Sequence, residues 1–266
     1  MLTFRDLFTA LRKLDLDRAS PVIAHGSLSS FGEVNGGADT ILGALLSISN
    51  SVIMPTFTFK TMLIPEVGPQ HNAIQYGSGK DLNRMAEFFT PDLPVDPLMG
   101  AIPEALRLHP KAHRSMHPIF SFGGINADQT LEKQTITEPL APIHTLREAG
   151  GWVILLGVDH SVNTSIHYGE RLAGRKQFIR WALTPDGVKE CPGFPGCSNG
   201  FNAITPSLDQ VIRRVQAGSS LIQAIPIAAL VETVLAMLKE DPLALLCEKP
   251  DCERCNAVRD SVQKSL

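Results

Sequence analysis

Two histidines, two acids and several hydroxyls fall within the fourteen residues Gly157–Glu170, which read Gly-Val-Asp-His-Ser-Val-Asn-Thr-Ser-Ile-His-Tyr-Gly-Glu. A carboxylate beside an imidazole fixes its tautomer and raises its basicity, which suits a general base. If a helix begins near Asn163, capped by Asn163 or Thr164, His167 and Glu170 lie three apart on one face. His167 is then the candidate base and Glu170 the group that orients it. A helix-surface ion pair has the same spacing, so spacing alone does not separate the two. Asp159 and His160, just ahead, are placed to touch a substrate or to serve as ordinary loop polar groups. Asn163 and Thr164 read first as caps, and Thr164 or Ser165 has a hydroxyl to offer a developing oxyanion.

The second chemical constellation is sulfur. Cys191, Cys197, Cys247, Cys252 and Cys255 are the five cysteines, an odd number crowded after residue 190. Secreted disulfide frameworks spread and pair their cysteines, so this set reads as metal ligands or reduced thiols. Cys247-x4-Cys252-x2-Cys255 has knuckle-like spacing with Pro250 and Asp251 as the turn, and Cys197 sits on a similar Pro195-Gly196 turn. Cys197, Cys247, Cys252 and Cys255 would make a closed all-thiolate zinc site, structural because no position is open. Buried free thiols are the alternative. None has a histidine nearby in sequence to make it a nucleophile.

Several elements must position these groups. Thr3 can cap an amphipathic helix Phe4–Leu14. Pro21–His25 and Ser51–Met54 read as buried strands flanking a helical segment 38–46 behind Gly36-Gly37, a parallel crossover that should be right-handed. Residues 59–98 lose periodicity, as long functional loops do. A helix near 99–108, a strand near 119–122, a helix over 142–149 and a strand over 152–157 follow. A hairpin pairs 176–184 with 188–191 across Asp186-Gly187, and two helices, 208–216 and 225–239, close the chain. This is an α/β pattern, with a candidate base just past the carboxyl end of a strand, where open α/β sheets put their chemistry. The expected organisation is one domain over residues 1–266, with a cysteine-bearing extension from about 190.

Four blocks in order carry a resemblance: Ala24–Gly32 with Gly36-Gly37; Ser51–Phe57; Met99-Gly100 with Arg114–Pro118 and Ser121-Phe122; and Leu156–Val158 with Asn163–His167 and Glu170. Together they resemble the aminoglycoside 3-N-acetyltransferase family of antibiotic acetyltransferases. The resemblance implies a central mixed, partly parallel sheet flanked by helices and acetyl transfer from acetyl-coenzyme A to an amine. It gives His167 the role of base and Glu170 its support. Its coenzyme A block falls on His25, Ser27, Leu28, Ser29 and Gly32, and Arg114 with Ser115 is expected at the phosphates because the guanidinium fork is bidentate. Asp159, His160, Asn163 and Thr164 are expected at the substrate. A polycationic antibiotic needs an acidic pocket, for which Asp81, Glu87, Asp92, Asp96 and Asp159 are available, although solvated loop acids are the simpler explanation. His117, before Pro118, reads more readily as a core histidine bonded to a backbone carbonyl than as part of the Arg114 cluster.

Composition fits these expectations. The chain has 266 residues, 44% of them hydrophobic, and a formal charge of −3, with a pI near 6.2. Nothing in that balance attracts nucleic acid or an anionic membrane. No apolar run reaches the roughly 20 residues of a membrane span, and Met1–Asp6 lacks the basic and apolar regions of a signal peptide, so a cytoplasmic protein is expected. Phosphate-binding Walker and dinucleotide glycine motifs are absent. The expected partner is a small-molecule amine, with a homodimer a further possibility. Two rivals stand beside acetyl transfer: an acyl hydrolase using the same His/Glu pair, and a non-catalytic zinc-stabilised binding protein.

Overall fold

The computed structural model describes residues 1–264. Its frame is a seven-stranded mixed sheet built on continuous apolar runs. Strand β1 (Val22–Gly26) lies at the centre, hydrogen-bonded in parallel to β2 (Val52–Pro55) on one side. On its other side, with β3 to β5 yet to be placed, runs the parallel strand Trp152–Leu156. These three strands are almost wholly buried, as strands covered on both faces must be. Strand β3 (Met62–Leu63) belongs to a second sheet, while β4 (Ala112–Arg114) and β5 (Phe122–Ile125) extend the first beyond β2 in antiparallel sense. Numbering Trp152–Leu156 as β6, the order is β4-β5-β2-β1-β6-β10-β9, where β9 is Arg213–Ala217 and β10 is Ser220–Pro226. The second sheet, β3-β7-β8, uses the hairpin of β7 (Phe178–Thr184) and β8 (Gly187–Phe194).

Apolar clusters cover the two faces of the main sheet. One face carries helices Phe4–Arg12 and Gly37–Leu46, with Leu7, Leu11, Ile41 and Leu45 inside. The other carries helices Ala141–Glu148, Thr164–Leu172 and Ile227–Glu240. Gly169 allows the last two to touch: a Cβ there would meet the Val234 side chain at 2.8 Å. The capping box expected at Thr3 forms with Asp6.

Two sequence expectations fail here. Residues 208–216 are not a helix: a short helix Thr205–Leu208 turns at Asp209, and β9 then pairs with β10 across Gly218. The alternation Arg213, Val215, Ala217 against Arg214, Gln216 is a half-buried strand period that the apolar count conceals. The strand placed near 119–122 begins instead at Phe122, because Ser115 Oγ and the Phe122 backbone bond each other and start the β4–β5 pairing at that point. Among the described residues no helix is long and apolar enough to cross a membrane.

Candidate active site

A cleft of about 1020 Å³ opens over the carboxyl ends of β1, β2 and β6. The chain leaves β1 and turns through Ser27–Gly32; it leaves β6 through Val158 and Ser161–Thr164, and both segments line the cleft. Between β1 and β6 the crossovers depart to opposite faces, the switch point at which open α/β sheets bind ligands. Gly157 makes the convergence possible. It holds φ +67°, and a Cβ there would fall 1.9 Å from the Ser30 hydroxyl, which bonds the Ser27 carbonyl at 2.7 Å and accepts from Ser220 at 2.8 Å.

His167 lines this cleft from the first turn of helix Thr164–Leu172. Asn163 caps that helix, its side-chain oxygen accepting from the Ser165 N–H at 3.2 Å. The His167 Nδ1 lies 2.7 Å from Glu170 Oε2, and Glu170 is 1% exposed. The other carboxylate oxygen of Glu170 accepts from Arg175 at 2.6 Å, and Arg175 also donates to the carbonyls of Pro242 and Ala244 at 2.7 and 2.8 Å. This is a buried chain, not a surface pair. The Nδ1–H of a neutral imidazole donates to the carboxylate, so Nε2 is left with its lone pair. Phe201 packs edge-on against the ring at 4.7 Å between centroids and fixes its plane. Arg175 was not singled out from sequence; its partner is five residues away across a helix end, a spacing outside the i,i+3 and i,i+4 rule.

The expected coenzyme A block divides. His25, Ser27, Leu28, Ser29 and Gly32 all line the cleft. His25 is buried, its Nε2 has no hydrogen-bond partner among the described residues, and burial pushes its pKa down to about 3, with His160 adding a smaller push in the same direction. Arg114 and Ser115, expected at the phosphates, do not line the cleft. The Arg114 guanidinium donates to Ser121 Oγ at 3.0 Å and to the carbonyls of Pro91, Leu93 and Thr56, tying the 91–93 loop to the end of β2. It also lies over Phe89 at 5.5 Å. Ser115 spends its hydroxyl on the Phe122 backbone.

The expected substrate residues divide as well. Asn163 and Thr164 line the cleft, whereas Asp159 and His160 do not. Asp159 is exposed and taken up by Ser161 and by Asn202 at 2.8 Å. His160 is 1% exposed, receives the Asn202 side-chain oxygen on its backbone N–H, and has its pKa lowered by burial. Ser165 is fully buried outside the cleft, so of the two hydroxyls read as oxyanion donors only Thr164 lines it. None of Asp81, Glu87, Asp92, Asp96 and Asp159 lines the cleft. His117 is buried in the core, but its Nδ1 accepts the N–H groups of Ile119 and Phe120 at 3.1 and 3.0 Å where a bond to a carbonyl was expected.

The far wall was not foreseen. Phe57, Phe59, Phe120 and Phe194 form a run of edge and tilted ring contacts, with Phe57–Phe120 at 4.7 Å and Phe120–Phe194 at 4.9 Å. The chain then passes through Pro195 and Gly196 to Cys197. The sulfurs of Cys197, Cys247, Cys252 and Cys255 all lie within 4.8 Å of one another, and three of the four residues are buried. Cys191 is apart, its thiol pushed up to about 12 by burial. Arg254, between two of the clustered cysteines, lines the cleft and donates to the Gly196 carbonyl at 2.9 Å. The cysteine knuckle thus forms one end of the cleft wall.

Comparison with known proteins agrees with this geometry. The family model for aminoglycoside 3-N-acetyltransferase matches residues 23–239. An aminoglycoside N(3)-acetyltransferase III from Salmonella sp is 30% identical over 239 residues, covering 77% of this chain and 79% of its own. The match to a YokD protein of Bacillus subtilis (strain 168), named an acetyltransferase-like protein, spans only 61% of that relative's length. Among solved structures, the apoenzyme of aminoglycoside acetyltransferase AAC(3)-IVa superposes with a TM-score of 0.79 over 98% of both chains at 23% identity. AAC-IIIb, solved as a binary complex with coenzyme A, gives 0.71 over 90% of this chain and 96% of its own at 20% identity. The chain belongs to the aminoglycoside 3-N-acetyltransferase family, whose named members are acyltransferases.

Proposed function

We propose that this protein, folded as one unit, transfers the acetyl group of acetyl-coenzyme A directly to a small-molecule amine, with His167 as general base. The observation that carries this reading is the buried Arg175–Glu170–His167 chain, which ends at the cleft over the parallel strand ends. As the nitrogen of the neutral acceptor amine bonds the thioester carbonyl carbon, His167 Nε2 takes the proton that this nitrogen sheds. Glu170 stabilises the imidazolium, and Arg175 holds Glu170 in place. Thr164 donates to the carbonyl oxygen as it becomes an oxyanion. As the carbon–sulfur bond breaks, His167 returns its proton to the departing thiolate. The cosubstrate fits the near wall: Ser27–Gly32 is small and polar, and the unpartnered His25 Nε2 matches a pantetheine amide. Coenzyme A binding by AAC-IIIb and gentamicin binding by AAC(3)-IVa support a coenzyme A site and an amine site in the shared fold.

The cysteine cluster is read as one structural zinc. Tetrahedral zinc holds thiolates at about 2.3 Å, and sulfurs gathered within 4.8 Å of one another match that cage. The ion would fix the end of the cleft and take no part in the transfer.

Calorimetry with acetyl-coenzyme A, followed by a thiol-release assay with amines, tests the function. Binding and amine-dependent release are expected. Release at an equal rate without amine would mark a hydrolase, and no binding at millimolar ligand would remove the acetyltransferase reading.

A further inference from the structure

The lining of the cleft includes no aspartate or glutamate among the described residues. The neighbouring carboxylates are all committed elsewhere. Glu170 stands behind His167 and is paired with Arg175. Asp159 is held by Ser161 and Asn202. Asp96 accepts from the Leu98 backbone, and Glu253 faces a different hollow with residues 69–76. His25 stays neutral because burial holds its pKa near 3. The one permanently charged side chain among the lining residues is Arg254, and its charge is positive.

Arg254 is placed to receive an anion. One guanidinium nitrogen is anchored on the Gly196 carbonyl, and the guanidinium lies 5.9 Å from the centre of the Phe194 ring. Arg180 sits over the same ring at 4.7 Å and adds a second positive charge behind it. The remaining donors form a fork suited to two oxygens. The phenylalanine run lines the same cleft and offers contact to an apolar body. A polycation entering here would meet the like charge of Arg254 with no carboxylate in the lining to offset it.

Resting on the acyl-transfer reading above, we infer that the acceptor is an amine with an apolar body and an oxyanion group, which Arg254 receives against Phe194, and is not a polycation. Arg254 is therefore the specificity-determining residue of the far wall, and the chemistry at His167 is unchanged by it.

The test uses the full-length protein at fixed ionic strength. Acetyl-coenzyme A binding is measured first by calorimetry, which scores the underlying reading separately. Thiol release is then compared for phenylalanine, 4-(aminomethyl)benzoate and O-phosphoethanolamine, for the acid-free analogues phenethylamine and benzylamine, and for gentamicin. At least one acid-bearing amine should exceed its acid-free analogue and gentamicin by about tenfold or more in kcat/KM. Arg254→Gln should erase that preference through KM, with kcat and acetyl-coenzyme A affinity nearly unchanged, and Arg254→Lys should restore part of it. Melting temperature and zinc content of each variant check that the knuckle is intact. Faster turnover of gentamicin, no advantage for any acid-bearing amine, or an Arg254→Gln effect confined to acetyl-coenzyme A affinity would each overturn the assignment. If acetyl-coenzyme A does not bind, acyl transfer fails instead, and the same amines titrated into the free protein still score the preference for an anion.

Discussion

Glu170 serves two partners with its two oxygens, His167 Nδ1 at 2.7 Å and Arg175 at 2.6 Å, in a pocket that leaves the carboxylate 1% exposed. The arrangement separates charge balance from tautomer control. Arg175 neutralises the carboxylate; the carboxylate orients the imidazole. Replacing either partner should therefore have a different signature.

His167→Ala should lower turnover by about 10²–10⁴-fold, the scale of losing a general base, while acetyl-coenzyme A affinity stays within a few-fold. Glu170→Gln should cost less, because an amide oxygen can still accept from Nδ1. Arg175→Met leaves Glu170 buried without a counter-charge and two carbonyls without donors, so a loss of roughly 3–5 kcal/mol is expected in denaturant unfolding. Full turnover by His167→Ala with its acceptor would reduce the chain to a structural ion pair.

Arg114 yields the opposite pattern to the one its sequence context suggests. Its donors tie Ser121, Thr56 and the 91–93 loop together, so Arg114→Ala strands buried carbonyls and should destabilise by roughly 3 kcal/mol. The affinity for acetyl-coenzyme A, measured well below the melting transition, should change by less than about twofold. A tenfold weakening with unaltered stability would return Arg114 to the phosphates.

One zinc per chain is expected from elemental analysis of protein purified without added metal. Cys252→Ser should lower stability by several kcal/mol, since binding the ion is coupled to ordering the knuckle. Because Pro195, Gly196 and Arg254 of the cleft wall are joined to that knuckle, strong chelator should also raise KM for the acceptor before it unfolds the chain. Protein that is free of metal and melts identically in chelator would leave a cluster of reduced thiols.

What the sequence displayed, and what it hid, follows from the range of the interactions. The β1–helix–β2 crossover, the strand before Gly157 and the His167/Glu170 pair rest on local periodicity and on neighbours within four residues, and all form as read. The zinc-like cluster was legible because three of its cysteines share one knuckle, though Cys197 joins them from fifty residues away. Arg175, Arg254 and the phenylalanine wall were hidden because each acts through a fold-level contact, such as Arg254 on Gly196, with no local signature. The bonds of Arg114 were hidden for the same reason: an arginine beside a family block looks alike in sequence whether or not its guanidinium is tied to three backbone carbonyls. The β9–β10 hairpin was lost to a helix because Leu208, Val211 and Ile212 fit a helical stripe, and only pairing with β6 through β10 decides the matter.

Acid should destabilise this fold earlier than its carboxylates alone would. His25 and His117 are buried, and burial holds their folded-state pKa values at about 3 and about 4, below the ordinary 6.5. The folded chain keeps both neutral, while the unfolded chain protonates both as pH falls through about 6.5. Stability is therefore complete above that value and declines below it, by about 1.4 kcal/mol per pH unit for each histidine until its folded pKa is reached. For the pair the loss at pH 5 is on the order of 4 kcal/mol. Protonating His117 also turns its Nδ1 from an acceptor into a donor facing the N–H groups of Ile119 and Phe120. Carboxylates held low, such as Asp159, act in the same direction only below about pH 4.5, so the window from pH 6.5 to 5 belongs to the histidines. Urea unfolding of wild type and His117→Asn across pH 7.5 to 5 separates the contributions, since asparagine retains an acceptor and has no proton to gain. The variant should show a shallower slope than wild type, with His25 and His160, whose pKa values burial also lowers, keeping their share; an unchanged slope would remove His117 from the account.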